Sequence, residues 1–269
     1  MGVWDMFKFF RRVRQALLSE SKFSKYLLYA IGEIALVMIG ILLALQVNNW
    51  NEERLKKNRE QVYLNLLLRD LNTDIEFYKS NIEFYDLVLE SGIKVLDFSD
   101  GINDLKYTNW ELLVDAFHAS QIWPIIIESA TYEELKSAGE LSLLNNSVLR
   151  DRLGYYYGGG TSRYQSTIGI NPPYRKMARM QIPFSILDYM WDECHETVGD
   201  IQVLHKCDPV ITEEKAGEIL NKLTNNEELM GELGFFMSAI RGGFEPLREQ
   251  FKLSELIVSE INKSLEKDN

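Results

Sequence analysis

The run from Leu27 to Val47 constrains this chain most. It holds 21 residues, of which only Glu33 and Gln46 are strongly polar. At 1.5 Å per residue it makes roughly 30 Å of helix, the thickness of a bilayer's hydrocarbon core. Tyr26 and Tyr29 stand at one end and Trp50 at the other, where amphipathic rings favour the water–lipid boundary. The sequence that follows, VNNWNEERLKK, offers no small-residue cleavage site, so a retained anchor is expected rather than a signal peptide.

Charge sets the expected orientation. Lys8, Arg11, Arg12, Arg14, Lys22 and Lys25 precede the span against Asp5 and Glu20. Immediately after it come Glu52 and Glu53, and the first cation is Arg54. Further out, Lys56, Lys57, Arg59 and Arg69 reduce the bias, so the residues nearest the span decide it. They place the N-terminus in the cytoplasm and the chain from about residue 48 outside. Within residues 1–25, Trp4 and Phe7 join Arg11, Arg12 and Arg14 in a basic amphipathic segment suited to an anionic membrane surface. A basic tail that only sets topology is the alternative. The expected division is residues 1–25 cytoplasmic, 26–47 transmembrane, 48–62 a charged helical stalk and 63–269 a helical exterior domain.

The first 25 residues carry a charge of +4, so the remainder of the −11 chain carries −15. An acidic exterior domain argues against nucleic acid as a partner, because phosphate binding needs clustered Lys and Arg. Cys194 and Cys207 are separated by twelve residues and would pair in an oxidising compartment. A zinc site using His195 and His205 is the competing reading, although the spacing matches no familiar zinc signature.

Past the stalk, Leu64, Leu68, Leu71, Ile75, Tyr78, Ile82, Tyr85 and Leu89 recur at a strict 4-3 spacing. Leu67, Phe77, Phe84 and Val88 widen the stripe, which suits a bundle better than a two-stranded coiled coil. Gly92 and the loop after it should end this helix. Shorter helices are expected in NWELLVDAFHAS, in SATYEELKSAGEL from Ser129 or Thr131 to Gly139, and in NNSVLRDRLGYYY from Asn145 or Asn146. From Thr212 the chain reads as helix again, with Leu229, Leu233, Phe236, Ile240, Phe244, Leu247 and Phe251 on one face and Pro246 as a bend or interruption. No segment shows sustained strand alternation. The expected fold is all-α, with the first and last long helices an antiparallel pair.

Two stretches carry a family resemblance. MFKFFRRVRQALLSESKFSKYLLYAIGEIALVMIGILLALQVNNWNEERLKKN and TYEELKSAGELSLLNNSVLRDRLGYYY resemble the two hallmarks of a family of uncharacterised single-span proteins from Gram-negative bacteria. The resemblance implies an inner-membrane anchor with a helical periplasmic domain. It supplies no catalytic residues.

Six residues beyond Leu27, Glu33 lies roughly 9 Å into the apolar layer. Gly32, Gly40 and Ala44 share a small-residue surface on which another helix could pack, with Glu33 supplying an interhelical hydrogen bond. Self-association, docking on another membrane protein, an ion-coupled carboxylate and a tolerated polar residue are all open. An ion-coupled role would be lost in Glu33→Gln, which cannot titrate, whereas packing would survive it. His118, beside Phe117 and Ile122, reads as a core residue, and Gly158–Gly160 lacks the lysine and preceding strand of a phosphate loop. No Gly-x-Ser-x-Gly, His-Glu-x-x-His or paired-carboxylate arrangement stands out. No enzyme, cofactor or metal is therefore expected, but a binding, sensing or scaffolding module on the lipid bilayer. A subunit of an ion-coupled complex is the alternative.

Overall fold

A computed structural model of the chain describes residues 11–12, 15, 23–102, 106–124, 126–160, 171–199 and 201–267, without the side chains of 23–26, 160 and 267. Two compact units divide it, 1–59 and 60–269. Helix α1, Phe23–Ser99, contributes to both and runs for 77 residues. Within the first unit its residues 27–59 are exposed on every face except at half-buried Ala30. One helix among the described residues is thus long and apolar enough to cross a membrane. Its polar continuation holds local pairs, Asn48 with Glu52 at 2.9 Å and Arg54 with Asn51 at 3.2 Å.

In the second unit burial along α1 begins at Glu60. Leu64, Leu71, Tyr78 and Tyr85 of the 4-3 seam are buried, while Leu68, Ile82 and Leu89 are only partly so. Leu67, Phe84 and Val88 are fully enclosed, so the buried stripe is the broad one that a bundle requires. Gly92 does not end the helix. A Cβ there would come within 2.0 Å of Met237 Sδ, so the missing side chain makes room for the Met237 side chain of the last helix instead. The stop lies at Gly101, φ +74°, where Ile102 N–H bonds Asp97 C=O and Gly101 N–H bonds Phe98 C=O. These are the paired bonds of a Schellman cap, which needs a left-handed residue. Gly139, φ +70°, closes α3 in the same way.

The middle elements are α2 (Asn109–His118), α3 (Ala130–Ser137), a 3₁₀ turn (Leu141–Leu143), α4 (Ser147–Tyr155) with a π turn (Tyr156–Gly160), α5 (Pro173–Gln181) and α6 (Phe184–Glu193). Thr108 and Glu111 form a capping box at the start of α2, and Asn146 caps α4 through Leu149 N–H. A short antiparallel hairpin follows, β1 (His195–Val198) and β2 (Ile201–Leu204), registered His195 to Leu204 and Val198 to Ile201. Strands of four residues are too short to display alternation in sequence. Gly199, φ +61°, makes their turn.

Helix α7 (Glu213–Thr224) leads into α8 (Glu227–Lys267). Pro246 lies inside α8 without interrupting it. The carbonyl that loses its intrahelical donor belongs to Gly242, which is exposed and open to water. Gly92 meets Met237 and Asp86 pairs with Arg248 at 3.9 Å, so α1 and α8 run antiparallel. Leu229, Leu233, Ile240, Leu247, Ile257 and Ile261 of α8 are buried in the core they share. The fold is helical, with long antiparallel first and last helices and, among the described residues, one small hairpin.

Candidate functional site

The end of α1, one face of α2 and the segment after the hairpin line a half-open cleft of about 390 Å³. That volume lies at the lower end of the range for small-molecule sites. Trp110 and Val114, both buried, line it one turn apart on α2. Trp110 Nε1 donates to the Cys207 carbonyl at 3.0 Å, which fixes the indole against the opposite wall. A disulfide joins Cys194 to Cys207, with Cα atoms 5.1 Å apart, and brackets the hairpin. His118 Nε2 and the His205 backbone N–H both donate to the Cys194 carbonyl, each at 2.9 Å. The wall formed by Lys206, Cys207, Asp208 and Pro209 is therefore tied to α2 at two places.

Charge in the cleft is mixed and partly buried. Lys94 Nζ lies 2.9 Å from Glu90, 3.8 Å from Asp115 and 5.3 Å from the Tyr107 ring centroid. Burial works against its charge, but the two carboxylates outweigh burial and hold its pKa above the ordinary value. Asp115 accepts from Ser91 Oγ at 2.8 Å, and burial raises its pKa over the opposing effects of Ser91 and Lys94. Burial lowers His118 to about 4, so it is a neutral donor to Cys194 near neutral pH. Glu111 and Glu213 are occupied by backbone N–H groups of Thr108 and Asn109. An apolar aromatic floor beside an ammonium and a carboxylate can orient a small polar solute by opposite charges at two points.

A second polar cluster is structural. Glu60 accepts from Asn145 N–H at 2.6 Å, and Asp70 accepts from the backbone N–H and hydroxyl of Thr131. Asp74 accepts from Glu128 N–H at 2.7 Å and from the Tyr156 hydroxyl at 2.8 Å. Three carboxylates on α1 thus hold the loops before α3 and α4 and the π turn after α4. Ser129 stands at the α3 cap without a side-chain bond, because Asp70 supplies the acceptor from outside.

Of the sequence-predicted residues, Gly32, Glu33, Gly40 and Ala44 are exposed along α1, and a Cβ at Gly32 or Gly40 would meet nothing within 4 Å. At about 100° per residue Glu33, Gly40 and Ala44 fall within about 40° of one another, whereas Gly32 is turned about 100° from Glu33 and lies off that face. Arg11 and Arg12 are exposed, while Trp4, Phe7 and Arg14 lie outside the described residues. His195 is buried, packed 4.5 Å from the Trp191 centroid and bonded to Gln202, whereas His205 faces Glu196 at 3.2 Å. The imidazoles of His195 and His205 thus take partners other than the cystine sulfurs. Lys94, Trp110 and Asp115 were not singled out from the sequence, because the cleft joins segments more than 90 residues apart.

A family model described as a family of unknown function, DUF6090, matches residues 33–167. No curated protein and no solved structure matches the chain. The matched span holds Glu33, the three anchoring carboxylates and the α1 and α2 side of the cleft; the disulfide and hairpin lie beyond it.

Proposed function

We propose that this chain, which belongs to the DUF6090 family of unknown function, is a membrane-anchored module that binds a small polar solute outside the cytoplasm. The cleft beside the disulfide carries this reading: a half-open volume of about 390 Å³ with Trp110 and Val114 as floor and the Lys94–Asp115 pair at its side. The apolar run of α1 supports an inner-membrane anchor, the cations before it an N-terminus in the cytoplasm, and the disulfide an oxidising periplasm for residues 60–269. The exposed face of Glu33, Gly40 and Ala44 supports self-association or docking on another membrane protein. Its carboxylate also favours a second reading, a subunit of an ion-coupled complex, which the non-titrating Glu33→Gln separates from packing by loss of cellular function with assembly retained.

The cleft is tested by native mass spectrometry of the intact protein released from its own membranes. Wild type should carry a small-molecule adduct that Val114→Phe, which narrows the cleft, loses while keeping its helical circular dichroism. Wild type without an adduct, or a variant that retains it, would remove the cleft as a binding site.

A further inference from the structure

Arg175 and Arg179 sit one turn apart on α5, both half-buried. Arg179 Nε donates to Ser120 Oγ at 3.1 Å, and its guanidinium carbon lies 5.3 Å from the Phe117 ring centroid and 4.9 Å from that of Trp191. Arg175 Nη1 donates to the Ser120 carbonyl at 2.7 Å and reaches Gln121 Oε1 at 3.4 Å. Among the described residues no carboxylate pairs with either arginine. Burial and the neighbouring Arg175 push Arg179 down to about 9, the direction expected of a cation without a counter-ion.

The donors are not all used. Arg179 Nη2 is buried with no acceptor, and so is Nε2 of Gln121, a side chain only 2% exposed. The C-terminal end of α2 and the two ring faces offset part of the positive charge, but a helix terminus carries only about half a unit against two full charges. Unsatisfied guanidinium and amide donors gathered around one peptide, Ser120–Gln121, lack an acceptor of negative charge. A planar fork beside an amide suits oxygen acceptors on a carboxylate or phosphate.

We propose that Arg175, Arg179 and Gln121 form an oxyanion site, separate from the cleft, that takes the carboxylate or phosphate group of a small solute. The partnerless Nη2 and Nε2 are the donors that the anion satisfies, and Arg175 adds the second charge.

Thermal unfolding of the intact protein in detergent tests this, comparing sodium phosphate and sodium acetate with sodium chloride at equal pH and ionic strength. At least one oxyanion should raise Tm, by about 4 °C for each tenfold increase above half-saturation, and the one that acts identifies the chemistry. Arg179→Gln should lose that rise; stabilisation by salt exclusion would persist in it. Gln121→Glu places a carboxylate of the same size in the site. It should raise Tm in chloride and abolish the response to both oxyanions. A wild-type Tm indifferent to both anions, or a Gln121→Glu protein that is less stable or still responsive, would overturn the site.

Discussion

Two buried groups should pull the stability of this protein in opposite directions over one pH range. Burial pushes Asp74 up to about 6, against the bonds it accepts from Glu128 and Tyr156. A raised acid binds its proton more tightly in the folded chain, so its contribution is complete below its unfolded value near 3.8 and is lost as pH rises through about 6. His118, lowered from 6.5 to about 4, behaves inversely: its contribution is complete above 6.5 and is lost as pH falls through about 4. Displacements of this size correspond to about 3 kcal/mol each, so the two slopes nearly cancel. Asp74→Asn should gain stability relative to wild type as pH rises from 4 to 6.5, and His118→Gln should lose it over the same range. Urea unfolding of the three proteins at several pH values checks both, and parallel pH profiles would contradict them. His118 was legible as a core residue from its apolar neighbours. The role of Asp74 was not, because its partners Glu128 and Tyr156 lie 54 and 82 residues away and are set only by the fold.

The long helices were the most legible elements, since a buried stripe repeating over many turns leaves a periodic trace. The 4-3 seam from Leu64 to Leu89 and the face from Leu229 to Leu247 both reached the core. Gly92 was misread because glycine serves two purposes, stopping a helix or admitting a neighbour, and only Met237 distinguishes them. Gly92→Ala should therefore destabilise the protein by about 1–2 kcal/mol despite alanine's better helix propensity, since overpacking outweighs it. Met237→Ala alone should also destabilise, by opening a cavity. The double variant should be more stable than the sum of the two losses implies, measured as a coupling in denaturant unfolding. Strict additivity would mean that the two residues do not share that space. The hairpin left little trace for the opposite reason: four-residue strands held by a turn and a disulfide need no extended pattern.

For the molecule as a whole, the sequence carries the division between an apolar span and a helical body, because each follows from composition along one segment. The cleft and the arginine site were hidden, since each gathers side chains from distant segments and neither uses a local motif. Asp70, Asp74 and Glu60 explain how α3 and α4, each with only two or three buried side chains, are fixed to α1 by buried and partly buried hydrogen bonds. The proposed function depends most on the side of the membrane that this body occupies. It requires residues 60–269 to lie outside the cytoplasm, where Cys194 and Cys207 can stay oxidised and an external solute can reach the cleft. Fusing a phosphatase active only after export, and separately a fluorescent protein active only in the cytoplasm, after Asn269 measures this directly. The expected result is an active phosphatase and a dark fluorescent protein; a bright fluorescent protein with an inactive phosphatase would contradict the orientation and the binding role that rests on it.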